Sequence, residues 1–207
     1  MYMRKFMVFA LAAVFACGCG TKASHRLISP LPSGIEIAAL TDCTVPASFT
    51  SDDFRWMGGN LTMKVFSEDL YDAVELLQMA PGDTIFFDGE NIVVENIDSK
   101  EGFISVNGGI EEGGAWLQSG DGGTYRACQW DDHSIYSELG TVELPLSEDF
   151  MIVDCGENPT DPSDTLTVGQ KLYLETLEGP HRIFSPLNTR VLVEDGIITK
   201  IVRFWIP

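Results

Sequence analysis

Few side chains in this sequence could carry out nucleophilic chemistry. Histidine occurs three times, at His25, His133 and His181, and cysteine five times, at Cys17, Cys19, Cys43, Cys128 and Cys155. An activated nucleophile needs a base within hydrogen-bond reach, and the closest Cys/His pair is Cys128 with His133, five positions apart. On an extended strand an odd spacing turns two side chains to opposite faces, so a dyad here requires an intervening bend. The chain has no Gly-x-Ser-x-Gly elbow, no His-Glu-x-x-His and no P-loop, which removes the core groups of serine hydrolases of that type, zinc proteases and nucleotide hydrolases. It also lacks Cys-x-x-Cys, the spacing of thioredoxin-like redox sites and zinc ribbons. The sequence favours a non-enzymatic protein, with a hydrolase as the third-ranked reading.

Carboxylates are abundant: thirty-one Asp and Glu stand against thirteen Lys and Arg, for a net charge of −18. Such a surface repels phosphates, which argues against nucleic acid as a partner. In so acidic a chain, Asp52-Asp53, Glu111-Glu112 and Asp131-Asp132 read as solvated pairs, not as a general acid and base. Calcium is the one cofactor the acids suggest, because hard cations take oxygen ligands from loops. Asp154, Glu157, Asp161 and Asp164 offer those oxygens, although their spacing is not that of an EF-hand. Without calcium, no cofactor is implied.

Aromatic side chains supply the other candidate site. Trp116, Tyr125 and Trp130 flank Ser119-Gly120-Asp121-Gly122-Gly123, where glycines would let a ligand approach the backbone. An aromatic face with Asp121 beside it suits a sugar. Ordinary core packing accounts for the same aromatic residues, since Trp and Tyr bury large areas.

Placement is written more plainly than chemistry. Arg4 and Lys5 precede Phe6 to Ala16, eleven residues without a polar side chain. That is the length of a signal-peptide core, and well short of the ~20 residues that span a bilayer. Val14-Phe15-Ala16-Cys17 resembles the lipobox of bacterial lipoproteins, and Ala16-Cys17-Gly18-Cys19 offers a second frame. The resemblance covers these residues alone, and Phe15 is bulkier than the pattern usually carries. It implies lipidation at Cys17, or alternatively at Cys19, and anchoring to the outer face of a bacterial membrane. The membrane is then one partner, and a glycan or an envelope protein a possible second. Loss of Arg4 and Lys5, with no acid before Cys17, would take the net charge from −18 to −20. In an oxidising envelope, Cys19, Cys43, Cys128 and Cys155 could pair as disulfides in three ways.

The expected organisation is a signal peptide over 1–16, a tether over 17–34 rich in Ser, Pro and Gly, and one β-rich globular domain over 35–207. Strand signals dominate that domain. Asp53 to Met57 and Leu61 to Phe66 flank Gly58-Gly59-Asn60 as a hairpin, and Asp88-Gly89 and Asp195-Gly196 mark two tighter ones. Lys171 to Thr176 and Arg182 to Phe184 are weaker strand candidates. Leu70, Ala73, Val74 and Leu77 share one helical face, which predicts an amphipathic helix over 67–80, capped by Ser67, with Leu76 pointing away from the core. The run Ile201 to Ile206 is apolar on both faces, which predicts a docked C-terminus. The fold class is mainly β, a single sandwich or partly open barrel with one helix.

Overall fold

The computed structural model describes residues 25–50, 53–55, 59–154, 165–167 and 184–206. In chain order the strands are β1 (Leu27–Ile28), β2 (Cys43–Ser48), β3 (Phe54–Arg55), β4 (Asn60–Glu68), β5 (Leu70–Asp72), β6 (Thr84–Phe87), β7 (Glu90–Val93) and β8 (Ile97–Lys100). They continue with β9 (Phe103–Val106), β10 (Ala115–Ser119), β11 (Thr124–Ala127), β12 (Tyr136–Asp154), β13 (Thr165–Thr167), β14 (Thr189–Glu194) and β15 (Ile197–Arg203). A five-residue helix, α1 (Ala73–Leu77), lies between β5 and β6. The protein is mainly β, and among the described residues no helix is long and apolar enough to cross a membrane.

Five strands close a ring. β2 pairs with β4, β4 with the first half of β12, the second half of β12 with β15, β15 with β14, and β14 with β2. Only the β12–β15 pair is parallel. Counted along the chain, the ring runs first–second–third–fifth–fourth and back to the first, the Greek-key order of the OB-type barrel. Alternation fills its inside: Val45 and Ala47, Leu61, Met63 and Val65, and Val191 and Val193 are all buried, with their neighbours in sequence turned outward.

A second core lies between two smaller sheets. Residues 69–135, inserted between barrel strands β4 and β12, form an antiparallel five-stranded sheet in the order β5-β11-β10-β9-β8. Facing it is a sheet in the order β1-β6-β7. Ile28, Ile85 and Phe87 from one sheet meet Ile104, Leu117 and Tyr125 from the other, with Leu76 and Met79 alongside. Barrel and sandwich, stated as alternatives for one fold, both occur in this chain. Asp69 sits where the connections between them run side by side: its N–H donates to Ile135 O (3.0 Å), and its own carbonyl accepts from Ala127 N–H (2.8 Å).

Three sequence expectations need correction. The stretch assigned to a tether over 17–34 is structured from residue 25 onward: β1 pairs in parallel with β6, Ile28 is buried, and Arg26 clamps Asp83. Ser, Pro and Gly gave 17–34 its loop-like composition, but the short apolar Leu27-Ile28 pair between them is enough to add an edge strand. The helix over 67–80 shrinks to α1, and its buried side is reversed. Leu70 to Asp72 are extended, Asp72 rather than Ser67 caps the helix by accepting from Val74 and Glu75 N–H, Leu76 is buried, and Val74 and Leu77 are 61% and 65% exposed. The stripe fails because β-pairing with β11 takes Leu70 to Asp72 before a helix can start. The C-terminal run docks only in part, since Phe204 and Trp205 are about half exposed after β15 ends. A bulge interrupts the alternation earlier in β15. Val193 pairs with Ile198 and Leu192 with Lys200, leaving Thr199 extra and re-phasing the strand so that Ile198, Ile201 and Arg203 are all buried.

The two Asp-Gly turns hold as read. Asp88-Gly89 and Asp195-Gly196 adopt left-handed φ values of 48° and 81°, and of 51° and 77°, as a two-residue type I′ connection requires. The first hairpin differs in register: Arg55 pairs with Asn60 and Phe54 with Leu61, so Asn60, read as the end of the loop, is the first residue of β4, while residues 56–58 lie outside the described residues.

Candidate functional site

The described residues line a hollow of about 270 Å³ on the barrel wall. Its base follows from strand register. Ser48 of β2 and Thr141 of β12 both pair with Lys64 of β4, so the three side chains stand in one row on the outer face. Thr62, two residues from Lys64, lengthens this polar shelf. One end is closed by aromatic rings: Phe49 follows β2 directly, Phe184 precedes β14, and the two stack with centroids 4.6 Å apart. The Phe49 N–H donates to Phe184 O (3.4 Å), and the Arg203 guanidinium lies 5.8 Å from the Phe184 ring centre.

The loop after β2 completes the rim. Asp53 Oδ2 accepts from Thr50 N–H (2.6 Å) and Thr50 Oγ1 (2.9 Å), a local closure that holds the carboxylate at the mouth. Lys64 Nζ is 2.8 Å from Glu138 Oε2, both partly exposed. The hollow therefore presents four hydroxyls, one carboxylate and one ammonium, and ends against Phe49 and Phe184, which are themselves buried in the barrel core. That is chemistry for holding a small hydroxyl-bearing molecule by hydrogen bonds. The hollow is formed on the first three strands of the ring and the loop after β2.

The residues singled out from sequence are placed differently. Trp116 and Tyr125 lie on opposite faces of the five-stranded sheet. Tyr125 is buried in the sandwich core, whereas Trp116 packs on the other side against Phe103 (centroids 6.1 Å apart) and over Gly109. A Cβ on Gly109 would fall 1.7 Å from Trp116 Nε1, so that glycine is what lets the ring lie down. Asp121 sits in the exposed turn joining β10 to β11, and Trp130 is 72% exposed in the loop after β11. These four do not line a common hollow. On the face of Trp116, Arg126 instead gathers a polar network: it donates to Gln118 Oε1, to Ser134 Oγ (3.0 Å) and to the Asp132 carbonyl (2.8 Å), and Ser134 donates to Glu68.

Cys128 is fully buried, and burial pushes its thiol up to about 11, with Arg126 partly opposing. A thiol held protonated is a poor nucleophile. His133 turns to Asp131, 3.7 Å away. Cys128 and Cys43 are both free thiols, while Cys19 and Cys155 lie outside the described residues. So do Cys17, His181, Glu157, Asp161, Asp164 and the strand candidates over 171–183, and of the calcium set only the backbone of Asp154 is described. Among the described residues no three His, Cys, Asp or Glu side chains converge as a metal would need.

Sequence reasoning did not find the barrel hollow. Its row joins positions 48, 64 and 141, which only the strand register brings together, and Phe49 with Phe184 carries no local motif. As a charged group, Asp53 reads only as one of a solvated pair with Asp52. No protein-family model matches this chain, and no curated protein or solved structure matches it either.

Proposed function

We propose that this chain is an exported protein held by a lipid on Cys17, or alternatively Cys19, at the outer face of a bacterial membrane, where it acts as a non-enzymatic binding module for a small hydroxyl-rich ligand of the saccharide class. Placement rests on Arg4-Lys5, the apolar run Phe6 to Ala16 and the lipobox-like residues that follow. Binding rests on one observation, the row Ser48–Lys64–Thr141 ending in the stacked Phe49–Phe184 pair. In OB-type barrels the second and third strands and the loop after the first strand are the usual ligand face; the position of that row is thus a fold-level analogy and adds weight only in company with the side-chain chemistry.

Titration calorimetry against a panel of mono- and disaccharides, with the protein in detergent, tests this reading. At least one sugar should bind in the millimolar range or tighter, and Thr141→Val and Asp53→Ala should each weaken it by about tenfold or more, the loss of one or two hydrogen bonds. Absence of binding across the panel, or binding indifferent to both variants, would contradict the proposal. A sugar that binds but is lost in Trp130→Ala and kept in Thr141→Val would return the site to the 108–130 region.

A further inference from the structure

The β1-β6-β7 sheet has one face in the core and one in the open. Register sets Leu27, Thr84 and Val93 in a row on the open face, beside the buried row that begins with Ile28 and Ile85. Leu27 is 63% and Val93 59% exposed, and half-buried Phe86 lies on the same face. The outward side of α1 adds Val74 and Leu77, three residues apart. Arg26, next to Leu27, donates to the carbonyl of Gln78, next to Leu77, and so holds the end of α1 beside β1. Single exposed apolar residues are ordinary. Here they gather on the elements through which the chain enters its fold.

The length of chain before those elements says what covers them. Residue 25, the first described, lies eight residues after Cys17. At 3.3–3.6 Å per residue, eight residues reach about 28 Å at full stretch. A domain of this size is about 40 Å across. A lipid on Cys17 therefore cannot let the body invert fully, and it keeps β1 within about 28 Å of the membrane. From Cys19 the reach is shorter still.

We infer that the Leu27–Val93 face, together with the outward side of α1, rests in the interface of the membrane to which the chain is anchored. The inference depends on the anchoring proposed above. Exposed Glu75, Glu90 and Glu95 rim these elements, so contact is apolar rather than electrostatic, and zwitterionic lipid is favoured over anionic lipid.

The test uses the full chain with its lipid verified by intact mass, reconstituted in phosphatidylcholine vesicles. Leu27→Cys and Val93→Cys variants, each also Cys19→Ser, Cys43→Ser and Cys155→Ser, carry a polarity-sensitive fluorophore, with a matching Glu143→Cys variant on the barrel wall as control. Lipids brominated near the headgroup should quench the first two labels at least twofold more than the control, and the excess should shrink with anionic vesicles. Equal quenching at all three positions overturns the inference, as does shielding of Leu27→Cys that requires no vesicles and grows with protein concentration, which would put a second copy on this face. If melting shows that a cysteine variant is unfolded, Leu27→Glu in otherwise native protein replaces it, and unchanged protease protection of residues 25–31 on vesicles would count against the proposal. Protein without lipid refutes the anchoring, whereas lipidated protein with water-facing labels refutes only the docked face.

Discussion

At the residue scale, two buried aspartates show how environment sets the sign of a carboxylate's contribution. Asp83 is held by Arg26, whose backbone N–H donates to Oδ1 (2.9 Å) and whose guanidinium donates to Oδ2 (2.8 Å), with Ala80 N–H adding a third donor (3.0 Å). These bonds, the Arg26 backbone N–H first, hold its carboxyl below the usual range against the opposing effect of burial. A depressed pKa means that the stabilisation is complete above the ordinary carboxylate value and is lost as pH falls below about 4. Asp69 is the reverse case. Burial raises its pKa more than the Ser137 hydroxyl, 3.1 Å away, lowers it. The folded state then binds the proton more tightly, so stability declines as pH rises from about 4 through the raised value. Melting followed from pH 3 to 8 checks both. Asp83→Ala should lower Tm by roughly 5 °C at neutral pH and flatten the acid limb. Asp69→Asn, which keeps an acceptor for Ser137, should leave Tm at neutral pH equal or higher, and loss of several degrees there would contradict the assignment.

At the element scale, α1 separates what the sequence disclosed from what it did not. The two Asp-Gly turns were legible because that dipeptide tolerates positive φ locally, and the strand at Leu61 to Phe66 was legible from its run of strand-forming residues. The helix was misread because Leu70, Ala73, Val74 and Leu77 satisfy helical spacing while β11 claims the first of them. The bulge at Thr199 was illegible for a related reason, since a re-phased strand looks like one with two apolar faces. The barrel hollow required the register of three distant strands. Helix assignment yields a direct comparison: Leu76→Ala should cost about 2–4 kcal/mol in denaturant unfolding and Leu77→Ala less than about 0.5. The opposite ranking would restore the sequence-based face.

At the scale of the whole molecule, an OB-type barrel carries a small sandwich between its second and third strands. The sandwich takes in the incoming chain through β1, and the barrel carries the hydroxyl-lined hollow. In the proposed arrangement the sandwich meets the lipid and the barrel offers its ligand face to the surroundings. Both roles depend on where the chain is fixed, and that is settled by labelling. Cells given a radioactive fatty acid should incorporate it into this protein, and Cys17→Ala should abolish the label. Label that persists in Cys17→Ala and vanishes only in Cys19→Ala would move the anchor two residues. No label in the wild type would contradict the account.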